Sequence, residues 1–510
     1  MVSNVNGPKS YRGPGSVESF KIILKNVDSS KSYDITSMVT DVSLYEDIFK
    51  KAIYGVIAIK DGINLMNGMT QDKQNGTSSF PIVGEEFIEM SYTVSGFEQV
   101  NRRFAVNAIK QVTIDKTLKS RNYVIDICSE EYLIDATTLV QKSYQDQISN
   151  MVEDILKKYL KVDKEIPNAK RKKAYDIQAT KGQQNLVIPR LTPFETLDFL
   201  AKRSLAETVF QSGSYLFFEN KDGFNFCDIE YLIRRGKQRY SKDITRYQYY
   251  YQDPNLPNPT HEGSGVQDDS KTFKTVISMV QKHKFDTIEK LRRGYFENDV
   301  LVYDFVAKRV KETVFKFLDH YQDLNTLGAS KVESVSEASY PENSIDFIRT
   351  VTKDAEKPQG ILGFLGLTKD FPSTDKHTKL FFIPKDSTQP DTYLETIYSN
   401  RASYMTRLAQ NMFTVEVIGD PLIAAGDVIT INLPEIIGTT IDRKIYDVFL
   451  SGYFMVTTIH HRINSDSYMC TYDLYKNGFS NPVITTDKGE APQPSSSAFL
   501  NNTTQLGVNK

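Results

Sequence analysis

The strongest constraint on the fold is a phrase of four strands that occurs twice in the same order. The later copy opens with Phe413-Thr-Val-Glu-Val-Ile-Gly-Asp-Pro421, and a Gly426-Asp427 turn leads into Val428 to Leu433. Tyr453 to His460 and Tyr468 to Leu474 complete it. Apolar residues fall at alternate positions in each, as in strands buried on one face. Gly419, Pro421, Gly426, Pro434 and Gly452 punctuate the runs as turn residues.

The earlier copy reads Tyr54 to Gly62, Gly84 to Met90, Phe104 to Ile109 and Tyr123 to Ile127, with Gly84 at the turn. Any two antiparallel meanders align loosely, so one match carries little. Four matches in order, at offsets of roughly 340 to 360 residues, point to one small β-fold used twice.

A chain of 510 residues has room for about three or four domains. The formal net charge of −2 gives no overall basic field to draw nucleic acid or anionic lipid. Cys128, Cys227 and Cys470 lie far apart in strand-like runs, without metal-ligand spacing. They read as reduced core residues of a protein made in a reducing compartment. Residues 1–16 carry no secretory apolar stretch and predict a flexible arm rich in Gly and Pro. No apolar run approaches the ~18 residues of a membrane span. Tryptophan is absent, which disfavours sugar-stacking clefts.

These signals divide the chain into a first β-barrel over 17–130, an α+β domain over 131–235, and a second, discontinuous barrel over 236–323 and 400–480. An insertion and the start of a long helix occupy 324–399, and a polar tail runs over 481–510. The fold class is mainly β with α+β: two similar antiparallel barrels with a helix-plus-hairpin domain between them. Leu65 to Phe80, rich in Asn, Gly, Gln, Ser and Thr, predicts an exposed loop. Ile148, Val152, Ile155, Leu156 and Tyr159 share one helical face, which predicts a helix over Tyr144 to Leu160. The basic run Asn168 to Lys173 reads as a solvated loop or a contact with an acidic partner.

Thr192-Pro-Phe-Glu195 has the residues of a capping box, with proline at the first helical position. A hairpin follows, Tyr215 to Glu219 and Phe224 to Ile229 about the turn Asn220-Lys-Asp-Gly223. Thr272 to Phe317 alternates apolar and charged residues, so it is expected to return strands to the second barrel. Ile361 to Leu367 forms an apolar knot within the insertion, read as a tucked loop or a partner-binding plug. Leu394, Ile397, Tyr398, Met405, Leu408 and Met412 stripe a helix over Tyr393 to Asn411.

The search for chemistry returns little. Neither a nucleotide-binding loop nor a Gly-x-Ser-x-Gly elbow is present. Of the histidines, His460 and His461 are adjacent and, in a strand, point to opposite faces, so they cannot share a metal without a bulge. Glu85, Glu86 and Glu89 flank the Gly84 turn, with Asp427 as their counterpart in the second copy. A glycosidase needs two carboxylates roughly 5–9.5 Å apart across a cleft, and no pair is singled out. No catalytic, cofactor-binding or metal residue is assigned.

Several of these residues resemble a known family. Val417-Ile-Gly-Asp-Pro421, Ala425-Gly-Asp427, Ser451-Gly-Tyr453, Ile459-His460 and Asn477-Gly478 are similar to the second tube domain of phage baseplate hub proteins. Pro189-Arg-Leu-Thr-Pro-Phe-Glu195 and Tyr215-Leu-Phe-Phe-Glu219 ahead of Lys221-Asp-Gly-Phe224 are similar to its middle domain. The whole, from Phe20 to Phe479, looks like the central hub of T-even-type contractile tails, related to the hub part of type VI secretion spikes. The segment 324–387 and the tail are not covered. The resemblance implies a homotrimer in a virion tail baseplate, without enzymatic activity or cofactor. Three chains with two barrels each would form a pseudo-sixfold ring between a sixfold tail tube and a threefold spike. Wedge proteins would surround it, the end of the tape-measure protein would sit in its channel, and DNA would pass in transit. Glu85, Glu86, Glu89 and Asp427 would then be candidates for an acidic channel wall that repels phosphate. Two alternatives are the hub of a tailocin or type VI-like device, for which a fused β-helical spike is expected, and a tail-associated peptidoglycan hydrolase.

Overall fold

The structure is a computed structural model. It describes residues 15–478 apart from 68–80, 116, 118–119, 163–172, 210, 252–273, 284–285, 296, 317–323, 326, 329–378, 387–389, 410, 438–439 and 448–449. The N-terminal arm, most of the Leu65 to Phe80 loop, most of the basic run, the apolar knot and the polar tail therefore lie outside the described residues.

The first domain is built from β1 (Val17–Lys25), β2 (Ser32–Asp34), β3 (Val39–Asp47), β4 (Tyr54–Asp61), β5 (Phe87–Val94), β6 (Val100–Asp115) and β7 (Ser120–Cys128). The middle domain follows. It holds α1 (Glu130–Thr137), β8 (Ser143–Gln147), α2 (Ile148–Lys158), β9 (Ala174–Ile177), β10 (Gln183–Val187), α3 (Pro193–Ala201), β11 (Tyr215–Asn220), β12 (Gly223–Asp228) and α4 (Ile229–Lys242). Beyond it come α5 (Ile244–Tyr247), β13 (Gln248–Tyr251), β14 (Thr275–His283), α6 (Thr287–Arg292), β15 (Glu297–Asp304), β16 (Arg309–Lys316) and β17 (Lys379–Lys385). The last part holds α7 (Leu394–Leu408), β18 (Asn411–Ile418), β19 (Val428–Asn432), a hairpin of β20 (Pro434–Ile437) and β21 (Thr440–Tyr446), β22 (Gly452–Ile463) and β23 (Tyr468–Lys476).

One 13-stranded sheet runs through both barrels. Six of its strands, β14-β18-β23-β22-β19-β13, close on themselves through the β13–β14 and β19–β22 pairings. The neighbouring order, β3-β4-β7-β6-β5-β1, is the same arrangement made from the first copy of the phrase. The registers share two bulges, although β6 has a further one between Lys110 and Thr113 and β14 one between Gln281 and His283. Ala105 faces Cys128 and Val106 faces Ile127, a bulge follows at Asn107, and Ala108 faces Asp126. Met455 faces Tyr475 and Val456 faces Leu474, a bulge follows at Thr457, and Thr458 faces Asp473. A second matched bulge sits at Thr40 in β3 and at Ile277 in β14. Two unrelated meanders would not share bulge positions, which are set one residue at a time.

The pairing also corrects the alignment of the copies. Tyr123 stands where Cys470 stands, not Tyr468, because a slip of two preserves the inward and outward phase and leaves no trace in an apolar pattern. Glu86, rather than Gly84 or Glu85, is the partner of the Gly426-Asp427 turn: the Val106 amide donates to the Glu86 carbonyl and the Val456 amide to the Asp427 carbonyl, each at 2.9 Å. Inward residues of both barrels, among them Ile57, Ile59, Ile125 and Ile127 in one and Val415, Val417, Tyr472 and Leu474 in the other, belong to one apolar core.

The middle domain confirms the Thr192 capping box. Thr192 Oγ1 accepts from the Glu195 amide at 3.3 Å, and the Glu195 carboxylate accepts from the Thr192 amide at 3.1 Å. The β11–β12 hairpin forms as expected. The helix expected over Tyr144 to Leu160 begins only at Ile148, because Ser143–Gln147 pairs as a strand with β10. Helix α4 was not anticipated; Asp228 caps it by accepting from the Tyr231 amide. It crosses the second barrel at Gly236, where a Cβ would lie 2.4 Å from Val428 Cγ2, so only glycine allows this approach.

Of the strands expected from Thr272 to Phe317, β14 joins the second barrel. Strands β15 and β16 instead form a separate sheet with β17, against which α7 lies. Helix α7 occupies the place expected for the long helix, with Ile397, Tyr404 and Leu408 buried and Tyr398 exposed. Leu65–Asn67, the described start of the predicted loop, is a 3-10 turn with Leu65 buried.

Candidate functional site: buried ionic junctions between the domains

The barrels meet where β22 pairs antiparallel with β3, from Ile463 opposite Val42 to Thr458 opposite Asp47. Strand alternation turns Val42, Leu44 and Glu46 inward on β3, and Ile459, His461 and Ile463 inward on β22. Two titratable groups thus enter an apolar seam. The His461 Nε2 and the Arg102 Nη2 each lie 3.6 Å from Glu46 Oε1, and the Ala425 amide donates to Glu46 Oε2 at 3.3 Å. On its other side, His461 Nδ1 meets the Tyr468 hydroxyl at 2.8 Å and the Cys470 sulfur at 3.5 Å.

Burial works against a charged imidazole here, but the Cys470 sulfur and the Glu46 carboxylate outweigh it and push His461 up to about 9. Burial likewise works against the Glu46 carboxylate, yet His461 and Arg102 hold it below its ordinary value. The pair is therefore ionised at neutral pH and fastens the seam by charge. The adjacent His460 faces the other way, as expected, and stacks on Tyr45, which stacks on Tyr54, at centroid separations of 4.3 and 5.0 Å.

A second junction ties the first barrel to the middle domain. Glu219 Oε2 accepts from the Ile53 amide at 2.9 Å and from Ser129 Oγ at 2.5 Å. Lys173 Nζ stands 2.5 Å from both Glu219 Oε1 and Glu131 Oε2. Lys173, the described end of the basic run, is thus spent inside the chain. Burial raises the Glu219 pKa, against the pull of Lys173. A third junction joins α4 to α7: Glu230 lies 3.5 Å from Arg407 and accepts from the Asn325 amide at 2.6 Å. Burial pushes Glu230 up to about 7, although Arg407 opposes the shift.

The carboxylates singled out from sequence divide into two kinds. Glu86 is buried and accepts from the Val83, Gly84 and Glu85 amides at 2.8, 2.9 and 3.1 Å. Asp427 is buried and accepts from the Ala424 amide at 3.0 Å and from Arg239 at 2.7 Å. Burial raises its pKa, with Arg239 opposing. Both hook back onto their own turns, so neither carboxylate reaches solvent. Glu85 is exposed, and Glu89 is half-buried and paired with Lys25 at 2.8 Å. The turn glycines Gly84, Gly426 and Gly452 all have positive φ. Gly419 has a different reason: a Cβ there would lie 2.3 Å from the Tyr468 ring. Pro421 follows the buried Asp420, which accepts from the Leu422 amide at 2.8 Å and closes the same turn.

Sequence reasoning missed Glu46, Arg102 and Glu219. For Glu46 a signal was present: it occupies the inward phase of an otherwise apolar strand, where a lone acid requires a partner. The three cysteines are buried and unbridged, as expected. Among the described residues no group of three or more His, Cys, Asp or Glu side chains is placed to hold a metal. No described helix is long and apolar enough to cross a membrane.

No protein-family model matches the sequence, and no curated protein matches it. Solved structures do. The tail protein from Neisseria meningitidis MC58 is 10% identical with a TM-score of 0.46, over 91% of this chain and 98% of that one. The 43 kDa tail protein of prophage MuSo2 from Shewanella oneidensis is 10% identical with a TM-score of 0.47, over 90% and 99%. An Escherichia coli component of the type VI secretion system is 8% identical with a TM-score of 0.34, over 88% and 77%. Phage tail proteins and a secretion-system component are the kinds of structure to which this chain is similar.

Proposed function

We propose that the chain is the central hub of a contractile-tail baseplate. Three copies form a ring of six like barrels that joins a sixfold tail tube on one face to a threefold spike on the other. DNA crosses the ring during ejection, with wedge proteins outside and the end of the tape-measure protein in the channel. The role is assembly and symmetry matching in the virion, without bond chemistry of its own.

The observation that carries this reading is the double use of one six-strand order, down to the shared bulges, within one chain. A threefold assembly of such a chain presents six near-equivalent units, which is what a sixfold partner requires. The residues that resemble hub proteins fall on the strands of the second barrel and the turns between them, on the capped start of α3 and on the β11–β12 hairpin. The acidic channel wall is retained for Glu85 and Glu89 only, since Glu86 and Asp427 are consumed by their turns.

The test is the solution mass of the purified chain with and without a contractile-tail spike protein. A mass near three times the 58.1 kDa chain, alone or once spike is added, is the expected result. A monomer in both conditions overturns the reading, and lysis of cell walls by the purified chain would assign it to a hydrolase instead.

A further inference from the structure

The turns of the β11–β12 and β22–β23 hairpins are polar, Asn220-Lys-Asp-Gly223 and Asn464-Ser-Asp-Ser467. The turn between β15 and β16, outside the barrels, reads Phe305-Val-Ala-Lys308. Phe305 is 50% and Val306 47% exposed. The turn is nevertheless fixed. The Asp304 carboxylate accepts from the Val306 and Ala307 amides at 3.0 and 2.9 Å, and the Phe305 amide donates to the Lys385 carbonyl at 3.2 Å. Three successive amides are thereby tied down, so the two apolar side chains are presented to solvent by a rigid support.

The apolar surface continues onto the sheet. Register places Val310, Tyr303 and Pro384 in one row across β16, β15 and β17, and all three are exposed. Val300, Val302 and Ile383, of the opposite phase, are buried with Leu394 of α7 packed against them, so the Tyr303 row lies on the face away from the helix. Cations stand around this end. Lys308 and Arg309 are exposed and have no ion pair among the described residues, whereas Lys311 is paired with Glu395 at 3.3 Å. The chain as a whole carries a net charge of −2, yet from Tyr303 to Lys311 it holds three cations and one acid, and that acid, Asp304, is engaged by its own turn. A contiguous apolar crest with a cationic rim marks an interaction surface, where apolar residues exposed singly would not.

We propose that the β15–β16 hairpin end docks on an anionic lipid bilayer. Phe305 and Val306 enter the apolar boundary, Tyr303 lies at headgroup level with its ring inward, and Lys308 and Arg309 meet the headgroup phosphates. Shape and chemistry favour a bilayer over a protein pocket or a nucleic acid. The surface is the convex end of a hairpin, its one carboxylate is taken up by the turn, and it offers apolar area with diffuse positive charge. A nucleic acid would use the cations and leave Phe305 and Val306 in water. No described helix can span a membrane, so the contact is peripheral. One copy carries the whole surface, so the inference is independent of the hub reading.

The chain has no tryptophan, so Phe305→Trp places a fluorescent reporter at this one position. The full-length variant is mixed with vesicles of phosphatidylcholine alone, or of phosphatidylcholine and phosphatidylglycerol in equal parts. The expected result is a blue shift of the emission and co-sedimentation with the mixed vesicles, both weakened by salt. In the otherwise native chain, Lys308→Gln with Arg309→Gln is expected to lower the partition about thirtyfold, at about fivefold per cation. Phe305→Ser with Val306→Ser, which leaves the charge unchanged, is expected to lower it about tenfold or more. Circular dichroism is expected to stay the same in all of them, since the positions are exposed. Emission that stays at its aqueous wavelength, or no sedimentation with either vesicle, overturns the proposal. So does sedimentation that the serine pair leaves unchanged, which is adhesion by charge alone. The solution mass that decides the hub reading has no part in these outcomes, so the two readings fail separately.

Discussion

The two barrels share five strands in one order and differ in the sixth, which completes them. In the second, β13 lies parallel to both β14 and β19 and closes the ring. In the first, β1 pairs antiparallel with β5, and no β1–β3 pairing forms, because the outer edge of β3 is taken by β22. The closed barrel also carries a charged interior. Asp420 accepts from the Tyr249 hydroxyl at 3.2 Å and pairs with Lys274, itself nearly buried. At the matching turn of the open barrel, one register position earlier, Asp61 accepts from the Ile63 amide at 2.9 Å and the Tyr123 hydroxyl at 3.4 Å without a lysine. The same turn chemistry is thus kept, and the cation appears where a short parallel strand has to be held by few ladder bonds.

Four measurements break or sharpen this comparison. Asp420→Ala strands Lys274 in the core and is expected to cost about 3–5 kcal/mol in denaturant unfolding, the largest effect. Next comes the seam. His461 is raised to about 9 from 6.5, so its contribution of about 3 kcal/mol is present in full below pH 6.5 and is lost as pH rises through 9. His461→Gln is expected to flatten that alkaline loss in a pH series of melting curves. Asp61→Ala, which leaves no buried cation behind, should cost about 1–2 kcal/mol. A cost equal to that of Asp420→Ala would remove the distinction between the barrels. Least of all, Lys110→Ala and Lys282→Ala each remove an exposed lysine from Asp126 and Asp473, equivalent acids of the repeat that are reached from β6 in one barrel and from β14 in the other. Both should shift stability by less than about 0.5 kcal/mol, and alike.

The repeat was legible because its strands alternate cleanly and its turns are marked by glycine. Its register was not, since a period of two hides a slip of two; Tyr123 aligned with Tyr468 as well as with its true counterpart Cys470. Helix α4 was hidden by its composition: Ile229, Leu232 and Ile233 make a short stripe, and Gly236 reads as a breaker until the barrel it touches is known. Strands β15 and β16 alternate like barrel strands, and no local pattern says which sheet a strand joins. The junction pair Glu46 and His461 is separated by most of the chain, so each looked like an isolated polar residue until the seam brought them together.

The same seam sets the order of events during synthesis. Domains emerging from the ribosome fold from the N-terminal end, at roughly 5–20 residues per second. The partner of β3 is encoded about 400 residues later, so the first barrel waits on the order of 20–80 s with a bare edge. Through that interval the nascent chain presents the surface that a neighbouring nascent chain could capture, and the cell has to keep translating copies apart, by chaperone or by spacing, until each has closed upon itself.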